Sequence, residues 1–235
     1  MSGIQLDHIP LNGRSLAEYL AIFDLDEVFQ EETPLADRHI LDIAAGPSSF
    51  AAEAAGLGAT VTALDPAYVM PTPELSRLST AQIAAIRQNI EPVRHAYRWD
   101  FYHDPDDLRS RREEVLSRFL NDYQKAPMGR YVAGSLPYLP FKDGSFQLAL
   151  CSHFLFLFAD RLDYRFHLKS MLEMTRVSPG AALVYPVVNL EGKPYGAMDR
   201  LTCELAEKGV TARLIKTEFE FLKGATQLMR LQRGA

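Results

Sequence analysis

The sequence predicts an α/β fold in which helices cover a central, mostly parallel sheet. Three observations carry that expectation. The stretch Ile40-Leu41-Asp42-Ile43-Ala44-Ala45-Gly46-Pro47-Ser48-Ser49-Phe50 reads as a short apolar strand that ends in a small-residue turn and opens an alanine-rich helix. A second strand, Thr60-Val61-Thr62-Ala63-Leu64, follows Gly58 and ends in an acid, Asp65. Strand, helix and strand in this order cross over right-handed and pair in parallel. The later part of the chain repeats the alternation, with strand signals at residues 147–151 and 181–187 separated by a helical one.

Taken in order, Leu16, Leu20 and Phe23 recur at helical spacing behind Ser15, a capping residue, and predict an N-terminal helix within residues 14–30. Residues 50–57 form the crossover helix, with Gly58 as its stop. After Asp65 the prolines Pro66, Pro71 and Pro73 break the pattern, and a stretch of about 50 residues with helical signals and no strand is too long for one crossover. It predicts a helical insertion over residues 71–128, with helices at 81–90 and 111–123 on either side of an aromatic hinge, Tyr97-Arg98-Trp99-Asp100-Phe101-Tyr102-His103. Because the insertion leaves from the end of the second strand, it is placed to act as a lid. A third strand at 130–133 precedes the strands at 147–151 and 181–187, with a helix at 165–176 between these two and another at 197–208 after them. Strands at 212–219 and 226–231, joined around Leu222, Lys223 and Gly224, predict an antiparallel hairpin. Residues 1–235 read as a single domain.

Composition narrows the function classes. The chain has 235 residues, 47% of them hydrophobic and 23% charged, which suits an ordinary soluble protein. Two cysteines, Cys151 and Cys203, are too few for a disulfide framework and point to a reducing cytoplasm, and no metal-ligand spacing is present. The sequence carries no leader pattern and no apolar run of membrane length, so no membrane partner is expected. A formal net charge of −5 argues against nucleic acid as a partner. The richest basic run, Arg109-Ser110-Arg111-Arg112, is followed by Glu113 and Glu114 and reads as a solvated helix face. A small molecule is the expected partner, bound by a monomer or a homodimer.

The turn after the first strand suggests which small molecule. A dinucleotide fingerprint needs glycines where this chain has Ala44, Gly46 and Ser49, which weakens a pyrophosphate reading. Asp65, about 20 residues beyond the turn, sits where a carboxylate accepts hydrogen bonds from ribose hydroxyls. Asp42, Ala44, Gly46 and Ser48 instead match an acid followed by G-x-G-x-G. The later segments Gly134-Ser135-x-x-x-Leu139-Pro140-Phe141-x-Asp143-x-Ser145-Phe146 and Met171-Leu172-Glu173-Met174-Thr175-Arg176-Val177-Ser178-Pro179-Gly180 match G-D-A-x-x-L-P-F-x-D-x-S-F-D and E-x-x-R-V-L-x-P-G-G. With these three ordered motifs, residues 38–190 resemble the class I S-adenosylmethionine (SAM) dependent methyltransferases.

That resemblance implies a Rossmann-like, seven-stranded sheet with an antiparallel C-terminal strand, and SAM as cofactor. It also implies site residues: Asp42 orienting the methionine ammonium, Ala44, Gly46, Pro47 and Ser48 on the cofactor loop, and Asp65 on the ribose. Pro66, Ala67 and Met70 would cover the base, Gly134, Ser135 and the Leu136 amide would meet the adenine, and Ser152, after the fourth strand, is a further cofactor-binding candidate. Only one of the three motif glycines, Gly46, is retained, and alanine and serine take positive φ less readily than glycine. His153 is the candidate for acid–base work, with a structural role in the apolar segment Cys151-Ser152-His153-Phe154-Leu155-Phe156 as its other reading. Tyr19, together with Tyr97, Trp99 and Tyr102, is a candidate for cation–π cover of a sulfonium. The expected activity is methyl transfer to a small molecule. SAM cyclisation to azetidine-2-carboxylate and methylthioadenosine, and SAM binding without catalysis, share these motifs and stay open.

Overall fold

The structure, a computed structural model, describes residues 10–25 and 35–234. Helix α1 (Leu16–Phe23) opens with a capping box in which the Ser15 side chain meets the Glu18 amide and the Glu18 carboxylate meets the Ser15 amide. It stops at Asp24, whose φ is 45°, rather than running on unbroken toward residue 30; residues 26–34 lie outside the described residues.

Strand β1 (His39–Ile43), helix α2 (Phe50–Ala55) and strand β2 (Thr60–Leu64) make the expected crossover, with β1 and β2 parallel from His39 beside Thr60 to Ile43 beside Leu64. Strand β3 (Tyr131–Val132) lies outside β2, and β4 (Leu148–Ser152) pairs in parallel with the other edge of β1. Strand β5 (Ala182–Tyr185) continues the parallel set. Strands β6 (Val210–Lys216) and β7 (Gln227–Arg233) form the antiparallel hairpin, and β7 inserts beside β5. The sheet order is β3-β2-β1-β4-β5-β7-β6. The chain moves outward in one direction from β1 and in the other from β4. Ligands in such sheets sit beyond the carboxyl ends of the two strands where the order reverses.

Both faces of the sheet are covered, which explains why Leu148–Ser152 is buried at every position. Ile40, Leu150 and Leu183 pack toward α1, α2 and the insertion. Leu41, Cys151 and Val184 pack toward α6 (Tyr164–Val177) and α7 (Met198–Glu207). No helix among the described residues is long and apolar enough to cross a membrane.

The insertion is helical, but its helices begin earlier than their periodicity suggests. Helix α3 (Thr72–Ala84) starts directly after Pro71, a short α4 (Ile86–Ile90) follows, and α5 runs Pro105–Tyr123. Asp104 caps α5 by accepting from the amides of Asp106 (2.9 Å) and Asp107 (2.8 Å), and Pro105 sits at its first turn. The aromatic hinge packs on the connection between β6 and β7. Tyr97 and Phe221 have ring centroids 4.7 Å apart, Phe101 and Phe219 5.1 Å, and the Arg98 amide donates to the Phe221 carbonyl at 2.8 Å.

Candidate functional site

The turn after β1 is left-handed twice: Ala44 has φ 56° and Gly46 φ 57°. Ala44 therefore adopts the conformation that glycine takes more easily, a strain that local packing has to hold. Asp65 supplies part of that hold. One carboxylate oxygen accepts from the Gly46 amide at 2.9 Å and the other from the Ala67 amide at 2.8 Å, while the Gly46 carbonyl accepts from the Tyr68 hydroxyl at 2.7 Å. Asp65 is thus a structural clasp between two strand ends before it meets any ligand. Burial nevertheless raises its pKa against those two bonds. The Gly134 amide approaches the Asp65 carbonyl at 3.4 Å and ties β3 to the same corner.

A strap of residues 10–15 lies over this turn. Gly13 presses so closely that a Cβ there would stand 1.9 Å from the Pro47 carbonyl oxygen, and the Arg14 carbonyl accepts from the Ser48 hydroxyl (2.6 Å) and the Ser49 amide (3.1 Å). Pro47 and Ser48 are therefore held from above as well as by the sheet. Pro66 is exposed at the start of the turn that follows Asp65.

Asp42 is fully buried on β1. Its Oδ1 accepts from the Tyr19 hydroxyl at 2.7 Å, and its Oδ2 has no hydrogen-bond partner among the described residues. Desolvation pushes the carboxyl up to about 7, the Tyr19 bond opposes this, and the charge of Asp65 adds to it. Tyr19 is correspondingly committed: its ring stacks on Phe50 with centroids 4.1 Å apart, and its own ionisation is suppressed by burial and by Asp42. Its hydroxyl is bonded to Asp42 and its ring faces Phe50, contacts that the sulfonium-cover expectation did not include. Tyr97 and Trp99 lie in the hinge cluster, as a packing role requires.

Tyr102 belongs to a buried ionic cluster. Arg112 donates to both oxygens of Glu18, at 2.6 and 2.9 Å, and to the Tyr102 hydroxyl at 2.9 Å, and Tyr102 in turn hydrogen-bonds Glu18. Arg112 and Glu18 are 5% and 2% exposed, which corrects the reading of residues 109–112 as wholly solvated: Arg109 lies outside, and Arg112 points in. Neither Glu18 nor Arg14 stands out in the sequence, and Arg112 does so only as part of a basic run. The pairing spans the N-terminal helix and the insertion, and no local pattern encodes it.

At the end of β4, His153 is half-buried with φ 55°, its Nδ1 2.7 Å from the Ser152 hydroxyl and its ring edge-on to Tyr185 at 5.1 Å. Burial, with the charges of Arg14 and Arg112, holds its pKa well below the ordinary value. The imidazole is neutral at neutral pH. Because Ile43 pairs with Cys151, His153 and Asp42 lie at adjacent strand ends. On the other side Ser135 is exposed, and Leu136 is buried with its side chain in the α6 layer. The loop that carries them is fixed by Glu173, which accepts from the Leu139 amide at 2.7 Å, and by Arg176, which donates to the carbonyls of Phe141 (2.8 Å) and Leu139 (3.2 Å). The E-x-x-R spacing is thus a loop clamp.

No family model matches the chain. An uncharacterized protein of Methanocaldococcus jannaschii is 29% identical over 234 residues, 99% of this chain and 100% of its own length. Among solved structures, magnesium protoporphyrin IX methyltransferase (ChlM) from Synechocystis PCC 6803 with bound SAM superposes with a TM-score of 0.51 at 10% identity, covering 93% of this chain and 81% of that one. The same enzyme with bound SAH gives 0.50 over 93% and 82%. The likeness, with the strand order above, shows that the fold is that of class I SAM-dependent methyltransferases.

Proposed function

We propose that this chain binds SAM and transfers its methyl group to a small-molecule acceptor. The observation that carries the reading is Asp42: a fully buried carboxylate at the strand end where the sheet order reverses, with one oxygen fixed by Tyr19 and the other lacking a partner among the described residues. An unpaired buried acceptor is costly, and an ammonium group satisfies it. The adjoining residues fit the same ligand. Asp65 retains lone pairs beyond its two backbone bonds and can accept from ribose hydroxyls, and Ala44 and Gly46 leave a loop with little side-chain bulk. Ser135 and the Leu136 amide would face the base.

SAM supplies an activated methyl group on a sulfonium, so the protein's contribution is alignment and exclusion of water. The strap lies directly over the turn at the carboxyl end of β1. His153, held neutral beside two guanidinium groups, can accept a proton from an acceptor that arrives as a hydroxyl or ammonium. The formal charge of −5 offers no broad basic surface for a polyanionic acceptor.

The test is to incubate the pure protein with SAM, alone and with pools of small hydroxylated and amino compounds, and to identify products by mass spectrometry. S-adenosylhomocysteine appearing only with an acceptor is the expected result. Methylthioadenosine with a cyclic amino acid would assign a cyclase, and binding without turnover would assign a sensor. Asp65→Ala should weaken SAM binding in calorimetry by about 1.5–3 kcal/mol.

A further inference from the structure

We propose that the outer edge of β6 is a docking strand for a partner protein, which lays an extended segment carrying carboxylates along this side of the sheet. The inference is independent of the SAM reading, because β6 is the edge strand, with β4, β5 and β7 between it and β1.

The backbone provides the first half of the argument. Strand β6 ends the sheet order and pairs along its whole length with β7, so its other edge faces outward among the described residues. The Thr217 amide donates to the Thr226 carbonyl at 3.0 Å and the Gly234 amide to the Gly209 carbonyl at 2.9 Å, and both bonds continue the register that sets Val210 beside Arg233. Bonded and unbonded pairs alternate along an antiparallel ladder. Thr211, Arg213 and Ile215 therefore turn their amides and carbonyls toward β7, whereas Val210, Ala212, Leu214 and Lys216 turn theirs outward. The neighbouring side chains Leu214 and Ile215, on opposite faces of the strand, are 42% and 37% exposed. A free edge of this length with apolar side chains on both faces is a template for one more strand.

Charge selects which strand. Arg213 and Arg230 stand directly opposite each other across the hairpin, on one face of the sheet, and like charges so placed destabilise a strand pair. Their neighbours on that face are Thr211, Ile215, Leu228 and Gln232, none of them acidic, and neither arginine has an ion-pair partner among the described residues. Exposed arginines elsewhere differ: Arg109 faces Glu113, and Arg118 faces Glu53 and Glu114. A cation on an edge strand guards against stray pairing, which accounts for Arg213 or Lys216 alone. Arg230 is half-buried on an inner strand and has no edge to guard. Two adjacent guanidinium forks with no acid beside them are the complement of carboxylates. Residues 208–233 carry six cations and two acids in a chain of net charge −5, and one of those acids, Glu220, is held by Arg98 at 2.6 Å. A second copy fits poorly, because β6 laid antiparallel on β6 sets Arg213 and Lys216 against the same residues. A row of alternating main-chain donors and acceptors suits a peptide rather than a polynucleotide.

The test titrates the 15N-labelled full chain with a short peptide in which glutamate alternates with valine, so that carboxylates line one face and apolar groups the other. The amides of Ala212, Leu214 and Lys216 should shift saturably and exchange with solvent more slowly, while those of Thr211, Arg213 and Ile215 keep their exchange rates. Replacing the glutamates by glutamine should weaken binding about 10-fold or more, the range for lost hydrogen bonds between charged groups. Methylating alternate peptide nitrogens should abolish it. Arg213→Gln and Arg230→Gln should each weaken the peptide about 10-fold, and their thermal midpoints should hold or rise, because each relieves a like-charge pair. Unmoved β6 amides, equal binding of the glutamine peptide, or equal binding of the methylated one would overturn the proposal. Tripolyphosphate competing as well as the peptide would reduce the site to a bare anion patch and overturn it too. So would concentration-dependent sedimentation of the protein alone with the same three amides protected, which would assign the edge to a second copy.

Discussion

Two arginine–carboxylate pairs in this molecule share one geometry and differ in nearly everything else. Arg112 grips both oxygens of Glu18 at 2.6 and 2.9 Å, and Arg176 grips both oxygens of Glu173 at 2.8 Å. The first pair is 5% and 2% exposed and joins residues separated by 94 positions, whereas the second is 26% and 17% exposed and lies within one turn of α6. Desolvation pushes Glu18 up, and Arg112, Arg14 and Tyr102 together outweigh it and hold the carboxyl below its usual range. Glu173 is also lowered, chiefly by its hydrogen bonds with Arg176 and with little burial to overcome. The difference teaches that the buried pair fixes how two distant elements meet, and the exposed one trims a loop.

Breaking the buried pair should have the largest effect. Glu18→Ala leaves Arg112 and Arg14 without a carboxylate in a dry place and is expected to cost about 3–5 kcal/mol in denaturant unfolding, with little relief from salt. A loss no larger than about 1–2 kcal/mol that shrinks with added salt would erase the distinction.

Asp42 sharpens the contrast through pH. Its carboxyl titrates at about 7 in the folded protein against 3.8 as an unperturbed group. Ionising it in the folded state is therefore a cost that is absent below the lower value, grows between the two and stays constant above the upper one. Asp42→Asn lacks that cost. Its stability relative to wild type should rise from about pH 4 to about pH 7 and then level, with a gain on the order of 2–4 kcal/mol. Glu18 contributes in the opposite sense, since its lowered pKa stabilises the fold above its unfolded value and is lost as pH falls. A variant-to-wild-type difference that is flat with pH would place the Asp42 carboxyl in an ordinary environment.

The smallest effect should come from the exposed pair. Arg176→Ala releases the carbonyls of Leu139 and Phe141 and frees Glu173, for an expected loss of about 1–2 kcal/mol after solvent screening. Its sharper signature is faster hydrogen exchange in the loop after β3 with exchange in β1 and β4 unchanged.

Much of this architecture is legible in the chain. The strands β1, β2, β4 and β5 announce themselves as apolar runs between turn residues, and the hairpin by its spacing, because sheet burial is encoded locally by which residues are apolar. Helix starts were less visible. The Asp104-Pro105 signature of α5 is present in the sequence but is masked by the more regular periodicity further along. Ala44 in the left-handed region also runs against its residue type, and the clasp of Asp65 on Gly46 supplies the physical reason.

The sequence by itself determined the order of strands and helices, the right-handed crossover, the small-residue turn and the two acids at adjacent strand ends. These follow from backbone preferences and from apolar spacing over a few residues. Only the tertiary structure decided that Arg112 turns inward, that Glu18 is shared between it and Arg14, and that one Asp42 oxygen has no partner among the described residues. Those facts depend on which charges share a dry volume. Desolvation, with partners distant in the chain, sets that balance.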